Sequence, residues 1–294
     1  MEISSIQPGK KPPWLRVKLP SHGNFFYVSH LLKDKKLNTI CQSAKCPNIA
    51  ECWAHKTATF LILGDTCTRN CAFCAVKKGV PSPDAESESE NVAEAAAAMG
   101  LRYVVITSVT RDDLPDGGAA LFAKTIAAVK KRMSGIKLEV LIPDFQGSRE
   151  ALKTVIAAGP DILNHNIEVP ETLYLKIKRP MENYGRSLRV LKHAQELGAT
   201  TKSGIMVGLG EKREDILKTF SDLRTVSCDL LTIGQYLQPT KDNAPLQKYY
   251  TPGEFDELKK IALKWGFKEV ESGPLVRSSY RADRMYANLK TKVN

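Results

Sequence analysis

Three cysteines that could hold a metal centre lie close together, at Cys67, Cys71 and Cys74. Soft thiolates select zinc, copper(I) or iron–sulfur clusters, and a structural zinc ion normally takes four protein ligands. Three cysteines leave one position of a metal centre open to a substrate or cofactor, which suits a reactive iron–sulfur cubane. The alternative interpretation is a zinc knuckle or a chance grouping of cysteines.

A second group of cysteines precedes the first, at Cys41, Cys46 and Cys52. Either the six thiols hold two separate clusters, or four of them hold one metal ion and two are spare. The second arrangement leaves a remainder of exposed thiols, so we favour two clusters. Each cluster then lacks one ligand from its own cysteine group.

The chain from Thr59 onward alternates short β-rich runs with amphipathic stretches of helical length. The sequence predicts strands at Thr59–Leu63, Tyr103–Thr107, Lys137–Ile142, Ile162–Ile167, Thr201–Val207 and Leu230–Tyr236, with a seventh at Phe267–Glu271. It predicts helices at Glu88–Met99, Ala119–Met133, Arg149–Ala158, Tyr184–Leu197, Arg213–Val226 and Pro252–Trp265, the first of them with a capping box formed by Ser87 and Glu90. Because repeated β-then-α units require a parallel sheet with right-handed crossovers, the fold class is α/β, as either an open doubly wound sheet or a partial barrel.

Polar side chains follow the predicted strands, where the active sites of parallel β/α folds gather. They are found in residues 107–113, 164–168 and 204–211 and at Asp144, Gln235 and Gln238. Since Cys67–Cys74 follows the first strand, we expect these groups to converge on one rim. His165 taken alone is predicted to be a hydrogen-bonded core histidine.

The composition is that of a chain able to bury a substantial core, with 294 residues of which 43% are hydrophobic. No apolar run reaches the length of a membrane span, and we expect no membrane association. The N-terminus shows neither the basic nor the apolar region of a secretory signal. Since six of the seven cysteines lie between positions 41 and 74, reduced metal ligands in a cytoplasmic protein fit better than a disulfide framework.

Positive charge is concentrated at the two ends of the chain. Residues 1–40 carry an excess of five positive charges and residues 274–294 an excess of four, out of a net charge of +11. Such ends would attract an acidic partner, although solvated termini kept for solubility are the alternative. Aromatic residues are not interleaved with the basic ones as on a nucleic-acid platform, and we expect no nucleic-acid binding.

The Cys67-x3-Cys71-x2-Cys74 motif, with the aromatic Phe73 before the last cysteine, resembles the signature of the radical S-adenosylmethionine (SAM) enzymes. The wider set of motifs resembles the lipoyl synthase family of those enzymes. The motifs that carry this resemblance are Cys41-x4-Cys46-x5-Cys52, Thr107-Ser108-Val109 followed by Arg111-Asp112-Asp113-Leu114, Pro143-Asp144-Phe145, Asn164-His165-Asn166 and Arg277-Ser278-Ser279-Tyr280. They occur in the order of the family, and the match runs from about Lys33 to about Tyr286.

The resemblance implies a partial (β/α)6 TIM-type barrel whose mouth is covered by N-terminal and C-terminal extensions. The N-terminal extension, residues 1–58, would carry the auxiliary-cluster cysteines. Residues 59–272 would form the radical SAM barrel. The C-terminal extension, residues 273–294, would supply a serine ligand to the auxiliary cluster.

The resemblance also implies two [4Fe–4S] clusters and their ligands. Cys67, Cys71 and Cys74 would hold the cluster that binds SAM at its open iron. Cys41, Cys46 and Cys52, with Ser279 as fourth ligand, would hold an auxiliary cluster that is the sulfur source. The implied activity is that of a sulfurtransferase, in which a 5′-deoxyadenosyl radical removes hydrogen from C6 and C8 of a protein-bound octanoyl chain and cluster sulfur fills each position.

The implied contacts of SAM come from the strand ends. Thr107 and Ser108 would meet the methionine end of the cofactor, Asn166 and Glu168 the ribose, and residues from Met206 to Gly208 the adenine, with Phe73 beside the cluster. No catalytic residue beyond the cluster ligands is expected, because the hard chemistry belongs to the cofactors. The sequence departs from the common pattern at Thr110 and Val169.

The implied partners are octanoylated lipoyl carrier domains, either dehydrogenase E2 subunits or the glycine cleavage H protein, and a low-potential electron donor such as ferredoxin or flavodoxin. Lipoyl carrier domains are generally acidic, so the basic chain ends are the expected docking surface, and we expect a monomer. The nearest competing interpretation is a sulfur-inserting radical enzyme of the biotin synthase type. A two-cluster electron carrier and a zinc-binding nucleic-acid adaptor are the competing interpretations from other classes.

Overall fold

A mostly parallel sheet organises the chain in the computed structural model, which describes residues 11–17, 20–82 and 87–291. The strands of this sheet are β1 (Asn38–Thr39), β2 (Thr59–Ile62), β5 (Tyr103–Ser108), β6 (Lys137–Leu141), β7 (Ile162–Asn164), β8 (Thr201–Val207), β9 (Leu230–Gln235) and β10 (Glu269–Gly273). They pair in that order, and only β1 runs antiparallel to its neighbour. A separate parallel pair joins β3 (Thr66–Cys67) to β4 (Lys77–Lys78).

Helices follow the parallel strands as crossovers. The helices are α1 (Gly23–Asp34), α2 (Ile40–Ser43), α3 (Ile49–Ala54), α4 (Glu88–Ala98), α5 (Ala119–Arg132), α6 (Arg149–Ala157), α7 (Glu182–Glu196), α8 (Arg213–Thr225), α9 (Pro252–Lys264) and α10 (Ala282–Thr291), with short 3₁₀ turns at Pro13–Leu15, Phe145–Gly147 and Glu171–Leu173. Local chemistry sets several helix starts. The Ser148 hydroxyl accepts a hydrogen bond from the Ala151 amide, and Thr251 forms a capping box with Glu254.

The strands are buried on both faces, as the β/α arrangement requires. Every residue of β2, β7 and β9 is buried, and helices α4 to α9 cover the outside of the sheet with apolar faces. Among the described residues β1 and β10 do not pair with each other, so the curved sheet stays open and forms a partial barrel. The predicted fold class and its strand and helix order are therefore confirmed.

Several local features differ from the prediction. The many prolines and lysines of residues 1–40, without a clear periodicity, predict an extended arm, but this stretch contains α1, whose start is capped by the His22 ring nitrogen accepting from the Asn24 amide at 3.1 Å. The predicted capping box of Ser87 does not form, because the Ser87 hydroxyl makes no cap hydrogen bond. The fourth predicted strand ends at Asn164 rather than Ile167, and Glu168 shortly after it has a left-handed φ of 71°. Cys228 is fully buried, as expected of a small core residue.

The C-terminal extension takes a different course from the one expected. Met285 and Leu289 of α10 pack on Ile162 and Leu230, which are the first residues of β7 and β9. Tyr286 donates a hydrogen bond to Asp161 just before β7. Helix α10 therefore closes the N-terminal end of the barrel, and the chain must pass from the mouth, where β10 ends, to the opposite end over residues 274–281. An amphipathic helix needs an apolar face to pack against, and the open strand starts provide one.

Candidate active site

The Cys67–Cys74 loop leaves the C-terminal end of β2 and is tied to the barrel by its backbone. The Ala72 amide donates to the Ile177 carbonyl at 2.8 Å, and the Asn243 side chain donates to the carbonyls of Ala72 and Cys74, both at 3.0 Å. Cys71 is buried, whereas Cys67 and Cys74 are half-buried, and all three are free thiols. These ties fix where the three sulfur atoms point without using the sulfur atoms themselves.

Arg69, inside the cysteine loop, clamps it to the rim. Its guanidinium donates two hydrogen bonds to Asp112, at 2.7 and 2.8 Å, and two to the buried Asp144, at 3.0 and 2.6 Å. Burial opposes ionisation of Asp144, but the hydrogen bonds and charge of Arg69, together with His165 and the Gln146 amide, outweigh it and lower the Asp144 pKa to about 2. Asp112 and Asp144 follow β5 and β6, so a single arginine joins three strand ends.

Arg179 is a cation beside the cysteine loop that sequence reasoning did not single out. Its Nε donates to the Cys71 sulfur at 3.4 Å, and its guanidinium lies 5.6 Å from the Phe73 ring centre. Cys71 and Arg179 also line a cavity of about 410 Å³ that opens beside the loop. Arg179 is half-buried, and only the spatial proximity of residue 179 to residue 71 reveals its place beside the loop.

The thiols of the loop form one electrostatic group. Burial raises the pKa of Cys74 to about 11, with smaller upward contributions from Cys71, Cys67 and Glu168. The three thiols therefore lie close to one another, which is the arrangement expected of ligands that share one metal centre.

The N-terminal cysteines also come together, at the other end of β2. Cys41 lies in α2 and Cys52 in α3, with Cys46 between the two helices. Burial raises the Cys52 pKa to about 12, with further contributions from Cys41 and Cys46, and burial raises that of Cys41 to about 11. The backbone of Thr59 at the start of β2 lies close enough to oppose this rise in the Cys41 pKa, although burial outweighs it. The two cysteine groups thus lie at opposite ends of one strand, which spans roughly 10 Å between its first and last residues at about 3.3 Å per residue.

The chain after β10 reaches the N-terminal cysteines. The Asn48 side chain donates to the Leu275 carbonyl at 2.6 Å, and the Tyr280 hydroxyl donates to Glu51 at 3.1 Å. Between these contacts, Thr59 Oγ1 donates to Ser279 Oγ at 2.8 Å. Thr59 thus lies next to Cys41 and donates its hydroxyl to Ser279, so the predicted serine ligand lies near the predicted cysteine ligands although 220 residues separate it from Thr59.

Thr107 and Ser108 lie at the C-terminal end of β5 and differ in their hydrogen bonding. The buried Thr107 hydroxyl donates to the Leu141 carbonyl at 2.9 Å. The Ser108 hydroxyl is buried and has no hydrogen-bond partner. Because buried polar atoms without a partner are rare and costly, Ser108 is oriented for a polar group that the chain itself does not supply.

Asn166 and Glu168 follow β7 and face the inside of the barrel. Asn166 exchanges hydrogen bonds with Ser278 Oγ at 2.8 and 3.0 Å. The backbone of Glu168 bonds to β8 on both sides of its left-handed φ, from its amide to Gly204 and from Met206 to its carbonyl. Burial raises the Glu168 pKa in spite of the nearby Arg179. A non-glycine residue held in this backbone region indicates a position fixed for function.

Met206 and Gly208 lie near the end of β8, where Met206 is partly exposed. The Gly208 amide already donates to Glu211 at 2.6 Å, and its carbonyl accepts from the Gln247 amide at 2.8 Å. A Cβ at Gly208 would lie 2.2 Å from Gln235 Nε2. Gly208 therefore offers a ligand only its apolar surface, and its absence of a side chain is required by packing.

Other strand-end polar residues hold the structure rather than face the site. Both ring nitrogens of His165 are paired, with the Ile142 carbonyl and the Ser187 hydroxyl at 3.0 Å each, so the interpretation of a satisfied core histidine is confirmed. Gln235 is fully engaged with the backbone of Tyr236, Lys248 and Tyr250. The expectation that the strand ends converge on one rim is correct, but these two side chains are turned inward to pack.

The described residues contain neither a cluster of side chains around a single metal ion nor a membrane-spanning helix. No three His, Cys, Asp or Glu side chains in 11–17, 20–82 and 87–291 converge as they would on a single metal ion. In the same part of the chain, no helix has the length and apolar character needed to cross a bilayer.

Comparison with known proteins gave concordant results. The family model described as the radical SAM superfamily matches residues 61–223. A lipoyl synthase of Caldanaerobacter subterraneus is 54% identical over 93% of this chain and 96% of its own length, and one of Rubrobacter xylanophilus is 53% identical over 92% of this chain and 85% of its own length. A third, of Koribacter versatilis, is 50% identical over 96% and 93%.

Solved structures share the fold at much lower sequence identity. A crystal structure of methylornithine synthase (PylB) matches with a TM-score of 0.53 at 13% identity, covering 93% of this chain and 94% of that protein. The hydrogenase maturase HydG of Carboxydothermus hydrogenoformans matches with a TM-score of 0.55 at 11% identity, covering 91% and 78%. These two likenesses concern the fold alone.

Proposed function

We propose, from the premise that this chain belongs to the lipoyl synthase family of the radical SAM superfamily, that it inserts two sulfur atoms at C6 and C8 of a protein-bound octanoyl-lysine. Membership of the superfamily brings SAM and a [4Fe–4S] cluster. The auxiliary cluster and its ligands are the part that we add for this chain. The observation that carries the proposal is the placement of two cysteine groups at the two ends of β2, with Ser279 beside one of them.

The site at the barrel mouth fits the radical-generating centre. Cys67, Cys71 and Cys74 would hold that cluster, with Phe73 and Arg179 packed beside it. A cubane takes one thiolate at each of three irons, so the three thiols need to surround a cluster and need not converge on a single ion. When bound, the cluster and SAM supply a radical that removes hydrogen from unactivated carbon.

The rim residues have separate roles in holding SAM. Ser108 would offer SAM a hydroxyl that has no hydrogen-bond partner within the protein, whereas Thr107 fixes the end of β5 by its bond to Leu141. Asn166 and Glu168 would face the ribose, since an amide and a carboxylate can accept from its hydroxyl groups. Met206 and Gly208 would provide apolar surface for the adenine.

The site at the other end of β2 fits an auxiliary cluster. Cys41, Cys46 and Cys52 would supply three ligands and the Ser279 oxygen the fourth. Serine oxygen is a harder ligand than thiolate and is displaced from iron more easily, which suits a cluster that is dismantled to deliver sulfur. Residues 1–58 and 273–294 would together build this centre, and residues 59–272 the radical centre.

The partners follow from the family and from the charge of the chain. The family acts on lipoyl carrier domains, and we propose E2 subunits or the glycine cleavage H protein as carriers and ferredoxin or flavodoxin as electron donor. Lys33, Lys36 and Arg284 are exposed, whereas Lys35 is paired with Glu94. We propose that the exposed cations guide an acidic carrier, and that a monomer with seven free thiols works in the reducing cytoplasm.

Two measurements test the function. Anaerobic iron analysis is expected to give about eight irons per chain, as two cubanes require, and about four would leave the auxiliary cluster without support. Mass spectrometry of an octanoylated carrier peptide, after turnover with reductant and SAM, is expected to show replacement of two hydrogens by two sulfurs. A peptide that gains no sulfur in the presence of both clusters would contradict the proposed reaction.

A further inference from the structure

The segment from Val276 to Ser279 passes through the barrel against two glycines. A Cβ at Gly234 of β9 would lie 2.2 Å from the Val276 carbonyl oxygen. A Cβ at Gly204 of β8 would lie 2.7 Å from Asn166 Oδ1 and 3.0 Å from Ser278 Oγ. All three distances are shorter than van der Waals contact allows, so the missing side chains create the passage for this segment.

Ser278 is attached to the wall of this passage. Asn166 Nδ2 donates to Ser278 Oγ at 2.8 Å, and Ser278 Oγ lies 3.0 Å from Asn166 Oδ1, to which it donates in the alternative orientation. The nearby Asn166 side chain favours the ionised form of the Glu168 carboxyl group, although burial raises its pKa overall. The amide therefore lies between a carboxyl group on one side and the C-terminal segment on the other.

The next residue faces the opposite way. Ser279 Oγ accepts from Thr59 Oγ1 at 2.8 Å, and the adjacent Arg277 acts electrostatically on Cys46. Two consecutive serines thus connect two sites, because Ser278 bonds to the Asn166 side of the barrel and Ser279 lies at the auxiliary cysteines. The other side-chain hydrogen bonds of this part of the chain lie on either side of the two serines, from Asn48 to the Leu275 carbonyl and from Tyr280 to Glu51.

We infer that Ser278 is a positioning residue, whose hydrogen bonds with Asn166 hold Ser279 at the auxiliary cysteines and link that centre to the SAM pocket. This inference rests on the proposed function for the assignment of Ser279 as a ligand. Because coupling between two sites is reciprocal, a ligand that orders Asn166 also steadies Ser279. Ser278 itself touches neither cluster.

The test measures loss of iron from the reconstituted enzyme to excess bathophenanthroline disulfonate under anaerobic conditions. The auxiliary phase is identified as the one missing from Cys52→Ala. Ser278→Ala and Gly234→Ala are expected to accelerate this phase about tenfold, the factor equivalent to the loss of one to two hydrogen bonds, and to leave the other phase unchanged. S-adenosylhomocysteine is expected to slow the auxiliary phase in the wild type and not in Ser278→Ala.

Matched controls separate position from general stability. Ser272→Ala also removes a serine hydrogen bond, to the Phe255 carbonyl on the far side of β10, and Gly253→Ala adds a Cβ in a position with no close contact. Both are expected to release iron like the wild type. Hydrogen exchange of residues 276–281 in the iron-free protein gives a second readout, which is expected to be faster in Ser278→Ala than in Ser272→Ala.

The outcomes distinguish the inference from the function. If Ser279→Ala accelerates the auxiliary phase but Ser278→Ala behaves like Ser272→Ala in both readouts, the inference is wrong and the proposed function stands. If the wild type has no auxiliary phase at all, the proposed auxiliary cluster is wrong as well. Acceleration in Ser278→Ala and Gly234→Ala, with faster exchange of residues 276–281, supports the inference.

Discussion

Thr59 and Ser279 are hydrogen bonded at 2.8 Å, although one begins the first parallel strand and the other follows the last. The bond closes the open side of the barrel, where β1 and β10 do not pair. The proposed auxiliary centre would therefore lie at the seam where the two ends of the fold meet. A site of this kind exists only when the whole barrel has formed.

Removal of the C-terminal segment before Arg277 is expected to damage the auxiliary cluster and spare the one at Cys67–Cys74. Iron analysis should fall from about eight to about four per chain. Because Met285 and Leu289 pack in the core, the truncation also lowers stability, so Ser279→Ala is the control that leaves α10 intact. Equal loss from both clusters in Ser279→Ala would contradict the prediction.

Arg69→Lys is expected to destabilise the iron-free protein by about 3 kcal/mol and to reduce iron at the mouth site, because the buried Asp144 loses its bidentate partner. Urea unfolding and iron content measure the two effects. Asp112→Asn is the control, with an expected cost of about 1 kcal/mol or less, since Asp112 is one-third exposed. Similar costs for both variants would show that burial of Asp144 is not decisive.

The Arg69–Asp144 contact should also affect how the free energy of unfolding changes with pH in acid. The Asp144 pKa of about 2 lies below the usual value near 4, so the unfolded chain takes up this proton first. The stabilisation is complete above about pH 4 and is lost as the pH falls to about 2. Unfolding free energies of wild type and Asp144→Asn should therefore differ most at neutral pH and converge in this range. A constant difference would contradict the assignment.

His165 is expected to make the protein sensitive to milder acid. Burial lowers its pKa below the usual 6.5, in spite of the nearby Asp144, so the unfolded chain binds the proton more readily. Stability should fall as the pH drops below about 6.5, and His165→Gln should flatten that slope. His30→Gln, at an exposed position, should keep the wild-type slope. Urea unfolding between pH 7.5 and 5 provides the comparison.

Lys202→Met is expected to cost about 3–5 kcal/mol in urea unfolding, because it leaves the Glu139 carboxylate buried without its ion partner. Both side chains are fully buried, and their atoms are 2.9 Å apart. Glu139 also accepts from Asn164 and Tyr103. The double variant Lys202→Met, Glu139→Gln should recover more than half of the loss, since glutamine leaves no charge buried, its Oε1 can still accept from Asn164, and its Nε2 can donate to the Tyr103 hydroxyl oxygen. No recovery would show that the lysine acts through packing alone.

The sequence by itself determined the chemistry and the order of the elements. Cysteine type and spacing at Cys67–Cys74 predicted a metal centre with an open position, and the alternation of strand and helix patterns predicted a parallel α/β fold that the structure confirms. Both signals are local, because ligand spacing in a loop and hydrophobic period in a strand are written over neighbouring residues. Terminal glycines such as Gly100 and Gly159, with φ of 67° and 75°, belong to the same class of local signal.

Only the tertiary structure decided which distant residues meet. Arg179 beside Cys71, Thr59 beside Ser279 and Ser278 beside Asn166 are contacts over more than a hundred residues. The tertiary structure also decided that α10 packs at the N-terminal end of the barrel, a position that the sequence pattern of the segment does not predict. It likewise decided that the Gln235 side chain bonds to the backbone inside the fold. The physical reason is that such contacts depend on how the strands curve and on which passages small residues such as Gly204 and Gly234 leave open. Both are determined only when the whole sheet has curved into its final shape.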